Sequence, residues 1–355
     1  MKKHLLFLSI TALLLSACST DLDVKGDWKE TMVVYGLLDQ SQSKQYIKIN
    51  KAFLGEGNAF SFAQVKDSTQ FVNALSVKLI QLPNGPQYTL SPDGSIPKDP
   101  GTFYAPDQAN AIYSFTTPKI PNISTPDPTD SINNLSTSAT YKLSIRNSET
   151  GSEVSATTKL VSDFNFSLPT SGITLFNIIN KNNNAYKFRV TWNSTANAKL
   201  YQLIMRFNYV DSTLTGKVNQ HIDKIFSEVK TQGVGGGELI EFTIVGQEYL
   251  QYIANQISDY PGLIKRTPGN VDLIGIAAGE ELSTFIDVNK PSTGVVQQKP
   301  EYTNIANGLG VFSARYYKAP FSRSMDKATR DTLAGGFRTC HLKFTDNNGI
   351  WPGCQ

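Results

Sequence analysis

The sequence predicts a mainly all-β protein with two β-sandwich domains of the immunoglobulin or fibronectin III type and one short helix in the second. Three observations predict it. Apolar residues alternate with polar ones in many short runs, the pattern of strands with one buried face. Hydrophobic residues make up 40% of the 355 and charged ones only 18%, with Asn, Ser and Thr abundant, a balance that suits β cores and polar turns. Only one segment has helical spacing between recognisable ends.

The chain opens Met1-Lys2-Lys3-His4 and runs apolar from Leu5 through Leu15. A charged start and a short apolar core make a secretion signal, too short for a mature membrane-spanning helix. It ends Leu15-Ser16-Ala17-Cys18. An apolar residue, two small residues and a cysteine resemble the lipobox read by lipoprotein signal peptidase. Small residues let the backbone enter the peptidase, and the Cys18 thiol is the nucleophile that accepts diacylglycerol. Residues 1–17 are thus expected to be removed, leaving Cys18 as a lipidated N-terminus that anchors the protein to a membrane. The alternative is an ordinary secretion signal with a chance cysteine. Residues 18–30 read as a tether, and Asp21 and Asp23 in it are either part of a surface-export signal or a solvated acidic spacer.

The first domain is read as residues 31–162. Met32-Val33-Val34-Tyr35-Gly36-Leu37-Leu38 is a continuous apolar strand. Ile47 and Ile49, then Leu75, Val77 and Leu79, alternate with polar residues. Residues 118–139 are rich in Pro, Ser and Thr without periodicity and read as an inserted loop. Tyr141, Leu143 and Ile145 then lead through a Glu149-Thr150-Gly151 turn to Val154 and Ala156, a half-buried hairpin.

The second domain is read as residues 163–355. Tyr186, Phe188, Val190 and Trp192 alternate, and a polar turn leads to Tyr201, Leu203, Met205, Phe207 and Tyr209. A strand ending in Trp, then a Tyr-rich strand, resembles the B and C strands of fibronectin III sandwiches. Tyr249, Ile253 and Ile257 fall four apart after Gly246 and before Pro261, which predicts a helix near 247–258. Strands resume at Val271–Ala277. Cys340 and Cys354 bracket a segment that reads as strand, Asn/Gly turn, strand. Outside the cytoplasm such a spare pair reads as a disulfide stapling a C-terminal hairpin. A metal pair is the alternative, and it lacks a CxxC spacing or a histidine cluster.

Formal net charge is +3 and falls close to neutral once Lys2 and Lys3 are removed. There is no basic block, so nucleic acid is not an expected partner. No GxSxG, HExxH or P-loop pattern occurs, and neither a cofactor nor a metal is expected. Gly233-Val234-Gly235-Gly236-Gly237 lacks the Lys and Ser/Thr of a phosphate cradle and reads as a turn. Glu280-Glu281 are adjacent carboxylates that a strand or loop would point to opposite sides. Asp346-Asn347-Asn348-Gly349 reads as Asx/Gly turn chemistry. His221 and His341 have no recognisable catalytic setting, so the chain reads as non-enzymatic. Trp28 and Trp351 are the aromatics expected at the surface. Short Asp-Ser/Thr patterns resemble the O-glycosylation motif of exported Bacteroidetes proteins; they place candidate acceptors at Ser131, Ser68, Ser212 and Thr332.

Several segments together resemble a family of Bacteroidetes outer-membrane lipoproteins of unknown function. They are Met32–Asp39 soon after the cysteine, Ala74–Leu79, Tyr141–Ile145, Gln247–Tyr252 opening the helix, and Tyr302–Phe312, with Thr303 to Phe312 the most distinctive. Members are commonly encoded beside TonB-dependent transporters. The resemblance implies an outer-membrane, surface-facing location and a TonB-dependent transporter as partner, and it carries over no catalytic residue. The expected function is that of an accessory or ligand-binding lipoprotein. A fimbrial subunit and a carbohydrate-binding surface protein are the alternatives.

Overall fold

The computed structural model describes residues 31–52, 59–71, 75–98, 110–121, 131–133, 135–170, 175–179, 186–291 and 301–354. Residues 1–30, with Cys18 and Trp28, and residues 122–130 and 134 of the Pro/Ser/Thr-rich loop lie outside these. The protein is mainly β. In chain order the strands are β1 (Thr31–Leu38), β2 (Lys44–Ala52), β3 (Leu75–Leu82), β4 (Gln87–Pro92), β5 (Ile112–Thr116), β6 (Lys119–Pro121), β7 (Ser131–Asn133), β8 (Thr140–Asn147) and β9 (Glu153–Lys159). Then come β10 (Phe166–Leu168), β11 (Lys187–Asn193), β12 (Leu200–Thr213), β13 (Gly216–Ile225), β14 (Val229–Lys230), β15 (Leu239–Val245), β16 (Leu263–Ala278), β17 (Leu309–Tyr317) and β18 (Phe321–Arg323).

One sheet of 13 strands runs through both halves of the chain, in the order β13-β12-β16-β17-β1-β2-β5-β4-β3-β8-β9, with β14 and β18 on β12 and β16. Its centre is β1, which pairs antiparallel with β2 and parallel with β17, from Val33 opposite Leu309 to Leu38 opposite Ala314. β4 pairs with both β3 and β5 and so joins two runs of strands. Those runs bury Met32, Val34, Ile47, Val77, Leu79, Tyr141, Leu143 and Val154 in one core. A second sheet, β10-β11-β15, lies over the β12–β16 region. Trp192 of β11 is the hub there, with its ring centroid 5.3 Å from Phe164, 5.4 Å from Phe242 and 6.2 Å from Tyr201. The Trp-turn-Tyr pattern thus places its two strands in different sheets that face each other, and the alternating runs all fall in strands.

The apolar run Met32–Leu38 buries only one face completely. Met32, Val34 and Leu38 are inaccessible, whereas Val33, Tyr35 and Leu37 point to the other side of the sheet. That outer side is apolar because a helix leans on it, as described below.

The expectation of a single helix needs correction, since the described residues contain five. Two are short, α1 (Ala59–Ala63) and α2 (Lys66–Thr69). The expected one is α3 (Gly246–Gln256), which buries Tyr249, Leu250 and Ile253. Glu280–Asn289 forms α4, so Glu280 and Glu281 occupy a first helical turn and no strand or loop. Lys327–Gly335 forms α5, where strands were expected. Its start has a physical cause: the Asp326 carboxylate accepts a hydrogen bond from the Thr329 amide at 3.0 Å, satisfying an otherwise orphaned donor.

The Cys340–Cys354 disulfide is formed, but it does not staple a hairpin. Cys340–Leu342 is a turn of 3-10 helix, and Phe344 makes a single parallel bridge to Arg266. Asp346 then closes a turn by accepting from the Asn348 and Ile350 amides, both at 2.9 Å. The Asx/Gly chemistry is as read; it builds a closed turn, and no two-stranded ladder forms.

Candidate functional site

β1, β2 and β17 send every second side chain to the outer side of the central sheet. From β2 come Lys44, Tyr46 and Lys48, from β1 Tyr35 and Leu37, and from β17 Arg315 and Tyr317. Lys48 is the cross-strand partner of Tyr35. Tyr35 is 42% exposed and Tyr46 37%, large fractions for aromatic side chains on the middle strands of a sheet. Together they line a groove of about 480 Å³. It continues past Gln42 and Tyr317 into a second depression of about 560 Å³ that reaches Ile274 and Pro320. α4 packs beside it: Phe285 meets the Tyr35 ring edge-on at 6.0 Å, and Glu281 accepts from the buried Ser313 hydroxyl of β17 at 3.0 Å.

The floor of the groove is Asp39, only 2% exposed. Its backbone is fixed by Gln45, which accepts from the Asp39 amide at 2.9 Å and donates to its carbonyl at 2.7 Å. Oδ1 accepts from the Ser41 amide and hydroxyl at 2.9 and 2.6 Å. Oδ2 is buried without a hydrogen-bond partner among the described residues, and so is Nε of Arg315. Burial pushes the Asp39 carboxyl up, and the Ser41 bonds, the Arg315 charge and the nearby Tyr317 backbone amide pull it part of the way back. A buried acceptor and a buried donor without partners are costly in isolation, and both belong to side chains that line one groove.

The cations that line the groove differ. Lys44 lies 2.6 Å from Asp93, and that contact, with bonds from Ser95 and Ser114, holds the Asp93 carboxyl well below the usual range. Arg315 stacks over Tyr317 with its guanidinium carbon 4.7 Å from the ring centroid. Lys48 is exposed and close enough to Lys98 to join burial in lowering the Lys98 pKa, so positive charge accumulates on this side.

The sequence marks Tyr35, Leu37 and Asp39 only as part of a strand segment and none of the groove residues as a site; the candidate site residues it does mark lie elsewhere. Ser68 sits in α2, Ser212 in β12 and Thr332 in α5, each half-buried. The Asp211 that precedes Ser212 is buried and paired with Arg266 at 2.9 Å. The Ser131 side chain and Cys18 lie outside the described residues. His221 on β13 and His341 in the 3-10 turn are both exposed, on separate elements. Glu238 accepts from the Gln232 and Gly233 amides at 2.9 and 3.1 Å, so its carboxylate fills part of the glycine-rich turn. Trp351 is 39% exposed, at the surface as expected, with its indole N–H donating to the Cys340 carbonyl at 2.8 Å.

The Thr303–Phe312 segment is structural. The Asn304 side chain donates to the Phe312 carbonyl at 2.7 Å and accepts from its amide at 2.9 Å, imitating a strand at the entry to β17. Gly310 has a φ of 110°, and a Cβ there would lie 2.0 Å from the Val34 carbonyl oxygen, so only glycine lets β17 approach β1 so closely.

Among the described residues, no cluster of three or more His, Cys, Asp or Glu side chains is placed to hold a metal ion. No described helix is long and apolar enough to cross a membrane. Comparison of the chain with protein-family models and with curated proteins finds no match in either.

Proposed function

We propose that this chain is a non-catalytic lipoprotein of a bacterial outer membrane, anchored through Cys18 and facing the cell surface. In this reading it serves as the accessory or ligand-binding partner of a TonB-dependent transporter. The anchor rests on the Leu15-Ser16-Ala17-Cys18 lipobox, and the location and partner rest on the resemblance to Bacteroidetes outer-membrane lipoproteins. The observation that carries the binding role is the groove over β17, β1 and β2, where exposed tyrosines surround the unpartnered Asp39 Oδ2 and Arg315 Nε. Convergent polar groups in an aromatic cleft are the usual make-up of a ligand site. In the same reading the chain is two sandwiches sharing the central sheet, and the β10-β11-β15 layer over β12 and β16 supports the fibronectin III-like description of the second.

The test is a pull-down of tagged full-length lipoprotein from mildly solubilised outer membranes, with mass spectrometry of what accompanies it. A stoichiometric TonB-dependent barrel is the expected result. Recovery of the protein alone at native expression overturns the accessory role.

One observation favours a fimbrial reading. β1 directly follows the tether and fills the slot between β2 and β17, so its proteolytic loss would open a place for another subunit's strand. An intact, lipidated N-terminus on the surface protein, read by mass spectrometry, excludes that alternative.

A further inference from the structure

From the same groove, and resting on the ligand-binding reading above, we infer the class of ligand: an acidic oligosaccharide laid across the outer side of β2, β1 and β17. The location excludes the usual peptide mode first. An extended peptide binds at a sheet edge, where unpaired backbone groups offer hydrogen bonds. β1 lies in the middle of the sheet with both ladders occupied, so a ligand here must be recognised by side chains alone.

Those side chains are of two kinds. Tyr46, Tyr35 and Tyr317 stand on three neighbouring strands and line one groove, staggered along it, with Tyr35 level with Lys48 of β2 and Val311 of β17. Tyrosine faces pack against the C–H faces of pyranose rings while the hydroxyls reach polar groups. The floor then offers one open acceptor, Asp39 Oδ2, and one open donor, Arg315 Nε. A sugar ring, whose hydroxyls both donate and accept, can satisfy both at once. A carboxylate ligand alone would meet the arginine and be repelled by the aspartate.

The acid in the ligand follows from the cations of the groove. Arg315 has no carboxylate partner within ion-pair distance among the described residues, and Lys48 adds to the positive charge that lowers the Lys98 pKa. An arginine at a groove floor is the natural partner of a carboxylate or sulfate. The connected second depression gives the length for several units.

The experiment is calorimetric titration of the full-length, detergent-solubilised lipoprotein. The probes are oligogalacturonate, oligomannuronate and a heparin-derived hexasaccharide, with xylohexaose and poly-L-glutamate as controls. At least one acidic sugar is expected to bind about tenfold or more tighter than xylohexaose, a difference of about 1.4 kcal/mol. Arg315→Gln is expected to erase that preference. Tyr46→Ala, at an exposed position that the core does not use, is expected to weaken sugar binding by about tenfold. Silence of all three acidic sugars overturns the inference, as does poly-L-glutamate binding that equals theirs and ignores Tyr46→Ala. Equal binding of xylohexaose overturns the acidic class while leaving a ligand site in place. Co-purification with a barrel is read independently, so the inference and the accessory role fail separately.

Discussion

Arg266 is the most consequential buried charge among the described residues, and its removal makes a quantitative test of the fold. It is 1% exposed, and its partner Asp211 2%. Nε donates to Asp211 Oδ1 at 2.9 Å, while the two terminal nitrogens donate to the Leu342 and Ser258 carbonyls at 2.8 and 2.7 Å. The rings of Tyr209, Tyr260 and Phe344 surround the guanidinium at 5.8, 5.8 and 5.9 Å. Arg266→Ala leaves the Asp211 carboxylate buried, with the Tyr260 hydroxyl at 2.9 Å as its remaining donor, and strands two carbonyls. Breaking a buried pair from one side costs about 3–5 kcal/mol, and each orphaned carbonyl adds about 1 kcal/mol or more. The expected loss is therefore about 5–7 kcal/mol. Asp211→Ala leaves the guanidinium its two carbonyls and should cost less, about 3 kcal/mol. The double variant removes both charges, so its cost should fall short of the sum by about 2 kcal/mol or more. Urea unfolding followed by Trp192 fluorescence measures all three. A single-variant loss within about 1 kcal/mol, the size of an exposed ion pair, refutes the reasoning, and so does a strictly additive double variant.

Three further outcomes are expected. The Cys340–Cys354 loop spans 14 positions, so Cys354→Ser should destabilise by about 3 kcal/mol; a reductant should do the same to the wild type and nothing more to the variant, as read by thermal melting. Gly310→Ala should cost about 2 kcal/mol or more, because it combines a left-handed backbone with a Cβ 2.0 Å from the Val34 carbonyl oxygen; an unchanged melting temperature contradicts the close β1–β17 approach. Burial raises the Tyr249 hydroxyl far above the usual phenol range and pushes Tyr141 up to about 12. A raised acid pKa in the fold means that ionisation favours the unfolded chain, so stability is intact below the ordinary phenol value of about 10 and declines as pH rises past it. Phenolate absorbance should then show a late group of tyrosines released together with loss of tertiary fluorescence, in place of one smooth titration.

The strands were legible in the sequence because each buries one face, which leaves period-two alternation at Ile47/Ile49, Leu75–Leu79 and Tyr141–Ile145. α3 was legible because Tyr249, Leu250 and Ile253 are all buried at helical spacing. α4 was not, since Ser283 is its one buried residue and a half-covered helix leaves no clear stripe. α5 carries a readable start at Asp326 and a stop at Gly335-Gly336, but its apolar content is low. The C-terminal hairpin was misread because buried Phe344 looks like a strand residue, while its only ladder contact is one bridge to Arg266. The groove had no local signature. Its residues come from three strands, one of them far along the chain from the other two, and Tyr35 sits inside an apolar run that reads as core.

The place of β1 between β2 and β17 also governs the order in which the molecule can be completed. Synthesis delivers β1 first among these strands, yet its parallel neighbour arrives near the end of the chain. The entropy of closing so long a loop grows only slowly with length, but the rate of forming such distant contacts falls steeply. Until β17 arrives, the inner side chains of β1 have cover from one flank only, and its free ladder is open to pairing with other chains. The fold therefore cannot be completed vectorially, and the emerging chain needs shielding through this interval. A truncation that removes β17 should leave the N-terminal half prone to aggregate even though most of its own strands are present.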